Sequence, residues 1–252
     1  MNIIVFVGPT LSPRDVRAVL PEASLREPAS CGDVAKAALE RPDAIAVIDG
    51  YFQHRLAVWH KEILWALAGG IRVYGAASMG ALRAAELADF GMVGVGRIFE
   101  WFRSGTLEDD DEVAIAHQSA ARGYQVGSDA MVNIRATLEH AASAGIVSSA
   151  TAAGLREIGK AMFFAERSFP AIIAVAQERG LPADEVTPLR AWLENPDNVI
   201  NQKRDDALAL LHRIKQDLSE SRAPERPSFV FQFTEAWYEL TRRLSAEVNG
   251  SI

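Results

Sequence analysis

Three short runs in the first third of the chain constrain it most: Ile3–Val7, Ala44–Ile48 and Ile71–Tyr74 are apolar at nearly every position and rich in Val and Ile. A strand with one face in water alternates apolar and polar residues. These runs do not, so each is expected to be covered on both faces, as in a parallel sheet. Helical stretches lie around them, at Pro13–Val19, Asp33–Leu39 and Leu56–Leu67, the last stopped by Gly69-Gly70. This rhythm predicts an α/β fold: a small parallel sheet with flanking helices and right-handed crossovers in the N-terminal part.

After Gly91 no further strand is expected, and Ala, Leu, Glu and Arg dominate. Helices are predicted near Glu112–Ala121, Ala130–Ala144, Ala150–Phe164, Phe169–Gln177, Val186–Leu193 and Gln202–Leu218. The expected organisation is an α/β core over residues 1–120 and a helical extension over 121–218, which either stands apart or packs on the core. Residues 219–252 would add a polar linker, Ser219–Pro227, and an amphipathic helix over Ser228–Leu244 carrying Phe229, Phe233, Trp237 and Leu240.

About half of the 252 residues are apolar, so the chain can bury a core without a disulfide or structural metal. Cys31 is the only cysteine, which excludes an intrachain disulfide and a zinc site built on paired cysteines. The formal charge of −7 argues against a large phosphate-binding surface, though not against a local basic patch, and nothing resembles a nucleic-acid motif. The apolar N-terminus lacks a basic flank and reads as a strand, not a signal peptide. With no long apolar run to span a membrane, a cytoplasmic protein is expected.

The densest segment is Ile71-Arg-Val-Tyr-Gly75-Ala-Ala-Ser78-Met-Gly80-Ala-Leu-Arg83-Ala-Ala-Glu86-Leu87. A buried strand runs through a turn of small residues into a strongly helical sequence that starts at Ser78. That would set a hydroxyl, the backbone N–H groups of Met79 and Gly80 and a helix N-terminus together at the carboxyl edge of the sheet. Open α/β sheets bind ligands at that edge. Ser78 is then either a helix cap or a nucleophile. The pattern is neither the dinucleotide fingerprint nor a phosphate loop, and it matches the hydrolase elbow only in the small residues two before and two after the serine.

A nucleophilic serine needs a base. Of the histidines, His54 and His60 lie near the expected edge. Lys61, in the first turns of the helix after the second strand, is a base if its amine is kept neutral, and otherwise an exposed helical lysine. Lys160 also sits in an apolar context, Ile158-Gly-Lys-Ala-Met-Phe-Phe164. Asp49, in Asp49-Gly50-Tyr51-Phe52, orients a base, binds a ligand or starts a turn. Arg83 and Glu86 form an i,i+3 pair of structural type. The acidic run Glu108–Glu112 reads as a solvated helix start, since consecutive acids do not converge on one ion; no metal site is expected.

Together, Val7-Gly8-Pro9, Ile48–Phe52, Trp59–Leu64, Gly75–Leu87 and Leu107–Val113 resemble the TfuA-like family. The resemblance extends over Ile3 to Glu112 and, more weakly, through Ala130–Thr137 and Lys160–Pro170. It implies a partner of YcaO enzymes, which use ATP to activate a peptide amide so that sulfur replaces its oxygen. The TfuA-like partner hydrolyses the C-terminal thiocarboxylate of a small ThiS-like sulfur carrier, releasing sulfide, and strengthens engagement of YcaO with its peptide or protein substrate. The resemblance associates a Ser–Lys pair with that hydrolysis. The serine carries onto Ser78 and the lysine onto Lys61, with Lys160 as the alternative; Gly8, Asp49, Tyr51, His60, Arg83 and Glu86 are supporting positions. No metal or organic cofactor is implied. A non-catalytic adaptor, with Ser78 as a cap only, and a nucleotide-binding module remain the rival readings.

Overall fold

The structure is a computed structural model that describes residues 1–51, 55–220 and 228–249. The polypeptide divides into two units, Met1–Thr106 with Asp206–Ile252, and Leu107–Asp205.

The first unit is built on five strands, β1 (Ile3–Phe6), β2 (Ser24–Arg26), β3 (Ala44–Val47), β4 (Arg72–Ala76) and β5 (Val93–Val95). They pair in the order β2-β1-β3-β4-β5, every neighbour parallel. This is a doubly wound order, with its topological switch between β1 and β3. Both edge strands are additions to the sequence reading. Each is three residues long and only partly covered, so neither carries the continuous apolar run that marks a strand buried on both sides.

Successive side chains divide between the two faces. Ile3, Val5, Ala44, Ala46, Ile48, Tyr74 and Ala76 meet Val16 and Val19 of α1 (Pro13–Val19) on one side. Ile4, Phe6, Ile45, Val47 and Val73 meet α2 (Asp33–Leu39), α3 (His60–Ala68) and α4 (Met79–Leu87) on the other. Covering both faces is what allows the strands to be apolar throughout.

The expected boundary near residue 120 and the grouping of residues 202–218 with a helical extension differ from what is found. The helix α5 (Arg97–Arg103) still belongs to the first unit, and α10 (Gln202–Ser219) returns to it from Asp206 onward. Ala207, Leu210, Leu211 and Ile214 complete the cover of the face that α1 leaves open. The Tyr74 hydroxyl donates to Asp217 Oδ2 at 3.0 Å and locks that packing. Burial, and then the Asp217 charge, push the Tyr74 hydroxyl well above its ordinary pKa.

The C-terminal segment also departs from expectation. Helix α11 spans Glu235–Asn249, and residues 228–234 ahead of it are irregular. Phe229 and Phe231 turn inward while Val230 and Phe233 stay exposed. Most of the expected linker lies outside the described residues.

In the second unit, α6 (Met131–Ser143), α7 (Ser149–Ala161), α8 (Phe169–Glu178) and α9 (Ala183–Trp192) enclose Met131, Ile134, Leu138, Leu155, Ile172 and Leu189. Ser148 and Ser168 cap α7 and α8 through their hydroxyls. The helix expected over Glu112–Ala121 is replaced by irregular chain with short 3-10 turns at Asp110–Glu112 and Ala120–Arg122. The acidic run is not a solvated helix start. Glu112 takes Arg135 in a two-pronged pair at 2.8 and 2.9 Å, and Asp111 takes the fully buried Arg167 at 2.7 Å. These lateral pairs compete with helix formation and win, because Glu112 and Arg167 are buried and a buried charge must be matched. No helix among the described residues is long and apolar enough to cross a membrane.

Candidate functional site

β4 ends in Tyr74-Gly75-Ala76, and the chain reverses at Ala77 with φ of 68°. A positive φ costs a residue with a Cβ roughly 1–3 kcal/mol, and such strain gathers at functional turns. The Ser78 N–H donates back to the Ala76 carbonyl at 2.7 Å, closing a three-residue turn of γ type. Ser78 is the N-cap residue of α4, yet its hydroxyl makes no capping bond. The helix starts instead from its carbonyl, which accepts from the N–H groups of Ala81 and Leu82. Among the described residues the Ser78 Oγ forms no hydrogen bond at all. Only 8 % of the residue is exposed.

Two glycines explain how the turn fits. A Cβ on Gly75 would stand 2.1 Å from the Gly80 carbonyl oxygen, and one on Gly80 would stand 1.7 Å from the Val47 oxygen. The first turn of α4 therefore lies directly on the backbone of β3 and β4. This contact corrects the expectation of two free amide donors. The Gly80 N–H donates to the Ile48 carbonyl at 3.3 Å, tied down by the end of β3. The Met79 N–H alone of the pair has no partner among the described residues.

The starts of α1, α2, α3 and α5 and the loop after β1 are filled from within. Ser12 caps α1. The fully buried Glu62 accepts from Ala35 of α2 at 3.1 Å and from Trp59 ahead of α3 at 3.0 Å. Asp206 receives the N–H groups of Arg97 and Ile98 at the start of α5. After β1, Asp49 accepts from the Gly8 and Thr10 N–H groups through Oδ2 and from the Thr10 hydroxyl through Oδ1, at 2.9, 3.0 and 2.6 Å. A nucleotide phosphate at the switch between β1 and β3 would have to displace that carboxylate. The start of α4 is left with a donor and a hydroxyl that have no partner among the described residues.

The remaining candidates stand apart from the serine. Asp49 and Gly8 are spent on each other. Tyr51 donates from its hydroxyl to Glu27 at 3.3 Å, with Arg55 stacked 4.3 Å over its ring. His60 Nε2 meets Glu86 Oε2 at 2.8 Å; Arg83 holds the same oxygen at 2.7 Å and donates from Nε to the Val58 carbonyl. Arg83 and Glu86 thus meet as the i,i+3 pair their spacing suggests, joined by His60. Burial pushes the Glu86 carboxyl up, but the bonds from His60 and Arg83 outweigh it and hold it below its ordinary value.

Neither lysine is bonded to Ser78. Lys61 lies with its ammonium 5.1 Å over the ring of Phe231. In the second unit, Lys160 is ringed by Asp109 at 2.9 Å, Glu112 at 3.2 Å and Asp111. Burial favours its neutral form, yet the bonds to Asp111 and Asp109 outweigh it and hold its pKa above the ordinary value. His54 and Phe52 lie outside the described residues. No group of three or more potential metal ligands occurs among the described ones.

Thr10, Glu62, Arg167 and Asp206 were not singled out in the sequence. Glu62 was the most legible of them, standing three residues after the N-cap position as in a capping box, but behind Trp59 in place of a serine or threonine.

Sheet and turn define a parallel α/β protein with an unbonded serine at a strained strand-to-helix junction. The family model described as TfuA-like protein matches residues 49–168, a stretch that holds Asp49, Lys61, Ser78 and Lys160 and over which the chain is similar to the TfuA-like proteins. Comparison with curated proteins returns no match.

Proposed function

We propose that this chain serves a YcaO enzyme in peptide backbone thioamidation by hydrolysing the C-terminal thiocarboxylate of a ThiS-like sulfur carrier, with Ser78 as nucleophile. The observation that carries this reading is the state of Ser78: at the N-cap position, behind a strained Ala77, with a hydroxyl that caps nothing. In the reaction, Ser78 Oγ adds to the thiocarboxylate carbon and gives up its proton to a base. The oxyanion is met by the Met79 N–H and the positive end of α4. The base returns that proton to the sulfur, and collapse expels hydrosulfide and leaves an acyl ester on Ser78. Water then adds to that ester, releasing the carrier as a carboxylate and restoring the hydroxyl. Sulfide is a far better leaving group than an amine, so a serine, one base and few donors suffice.

Lys61 is the lysine this reading assigns as base. To act there Lys61 gives up its cation–π contact with Phe231, worth about 0.5–1 kcal/mol at an exposed site and so only a few-fold in rate. Lys160 would have to abandon three carboxylates, one of them buried. The adaptor reading, in which the chain only docks carrier and substrate peptide onto YcaO, is favoured by one observation: among the described residues no base is hydrogen-bonded to Ser78.

Ser78→Ala separates the two. Because the hydroxyl makes no cap bond, its loss should change stability by less than about 1 kcal/mol. Sulfide release from a thiocarboxylated carrier should fall by orders of magnitude. A variant that melts like the parent and releases sulfide at the parent rate would leave only the adaptor.

A further inference from the structure

The C-terminal arm is held to the first unit in two different ways. Helix α11 is anchored: Trp237 is 1 % exposed, with its ring 5.3 Å from that of Trp65, and Leu244 is buried in the same cluster as Ala35. The irregular residues 229–233 ahead of it have no such hold. Among the described residues, no backbone hydrogen bond joins them to the rest of the unit. They are kept in place by two rings, Phe229 edge-on to Phe90 at 5.7 Å and Phe231 edge-on to Trp237 at 5.2 Å. Val230 is 80 % exposed and Phe233 60 %. A segment bound through two side chains, next to a helix bound through a buried tryptophan, can lift while the helix stays.

What the segment covers gives the lifting a consequence. The Lys61 ammonium rests on the Phe231 ring, a contact that a positive charge makes and a free amine does not. We propose that residues 229–233 are a strap that closes over Lys61, its Phe231 ring keeping the ammonium on the arm and out of the reaction at Ser78 until the strap lifts. The inference rests on the function proposed above, since it concerns control of that same site.

The test uses the full chain with Phe231→Leu, which keeps apolar bulk against Trp237 and removes the aromatic face, and Phe231→Trp, which keeps the face. Lysine reactivity is read by mass spectrometry after brief treatment with an amine-acylating reagent, with exposed Lys215 as internal reference. Phe231→Leu should raise labelling of Lys61 about two- to fivefold and raise sulfide release from a thiocarboxylated carrier by a similar factor. Phe231→Trp should resemble the parent in both. Unchanged labelling of Lys61 in the leucine variant overturns the strap, whatever the activity does. Faster labelling with unchanged sulfide release overturns the control of the reaction. In that case Ser78→Ala tells whether the function itself has failed, because it abolishes release only if Ser78 is the nucleophile. A thermal melt of each variant excludes loss of fold as the cause of faster labelling.

Discussion

The Gly80 N–H donates to the Ile48 carbonyl at 3.3 Å, and the Gly80 Cα lies so close to β3 that a Cβ there would stand 1.7 Å from the Val47 oxygen. The start of α4, and Ser78 with it, is therefore set by direct contact of backbone on backbone.

Gly80→Ala should be among the most damaging single substitutions in the first unit. The obstructing atom is a backbone oxygen in the middle of a sheet, which has nowhere to go. A loss of roughly 3 kcal/mol or more is expected, seen as a lowered denaturation midpoint. A parent-like midpoint would mean that α4 can ride away from β3 at little cost.

Asp49→Asn should loosen the loop after β1. The carboxylate satisfies two backbone donors and the Thr10 hydroxyl within a buried setting, and an amide has one acceptor oxygen in place of two. A loss of about 1–3 kcal/mol is expected. Urea denaturation of Asp49→Asn beside Thr10→Val should rank the aspartate as the costlier change; the reverse order would assign the loop's stability to the hydroxyl.

Glu62 predicts a pH dependence. Burial pushes its carboxyl above the ordinary 4.5, despite the opposing N–H bonds from Gly32, Trp59 and Ala35. The folded protein then holds this proton more tightly than the unfolded chain. Its contribution is fully present below 4.5 and declines as pH rises through the folded value. Glu62→Gln removes the titration. The stability difference, parent minus variant, should shrink from the acid side toward neutrality, as measured by denaturation at a series of pH values. A pH-independent difference would count against the raised carboxyl.

Lys160 and Arg167 should behave as structural cations. Lys160→Met leaves Asp109, Asp111 and Glu112 short of a partner, at a cost of about 1–2 kcal/mol after allowance for its partial exposure. Arg167→Met, at a fully buried position, should cost more, about 3 kcal/mol or above. Sulfide release per folded molecule should be unchanged in Lys160→Met. An orders-of-magnitude fall in that rate without loss of stability would transfer the catalytic lysine from Lys61 to Lys160.

The sequence by itself determined the parallel sheet, because strands buried on both faces have to be apolar at successive positions, as Ile3–Phe6 and Ala44–Val47 are. It also placed Ser78 where a strand meets a helix, since Gly75, Ala76 and Ala77 favour a turn and the residues after them a helix. Local signals were enough there, and for α1 and α2, whose bounds follow from proline, glycine and periodicity. The tertiary structure decided the rest. Three-residue edge strands bury too little to stand out, which hid β2 and β5. An amphipathic helix reads the same whatever it packs on, which hid the return of α10 to the sheet. Whether Ser78 caps, whether Gly80 has a free N–H, and whether Asp49, Lys61 and Lys160 are available depend on partners far along the chain. Thr10 for Asp49, Phe231 for Lys61 and Asp111 for Lys160 are brought up by the fold, and spacing in the sequence does not encode them.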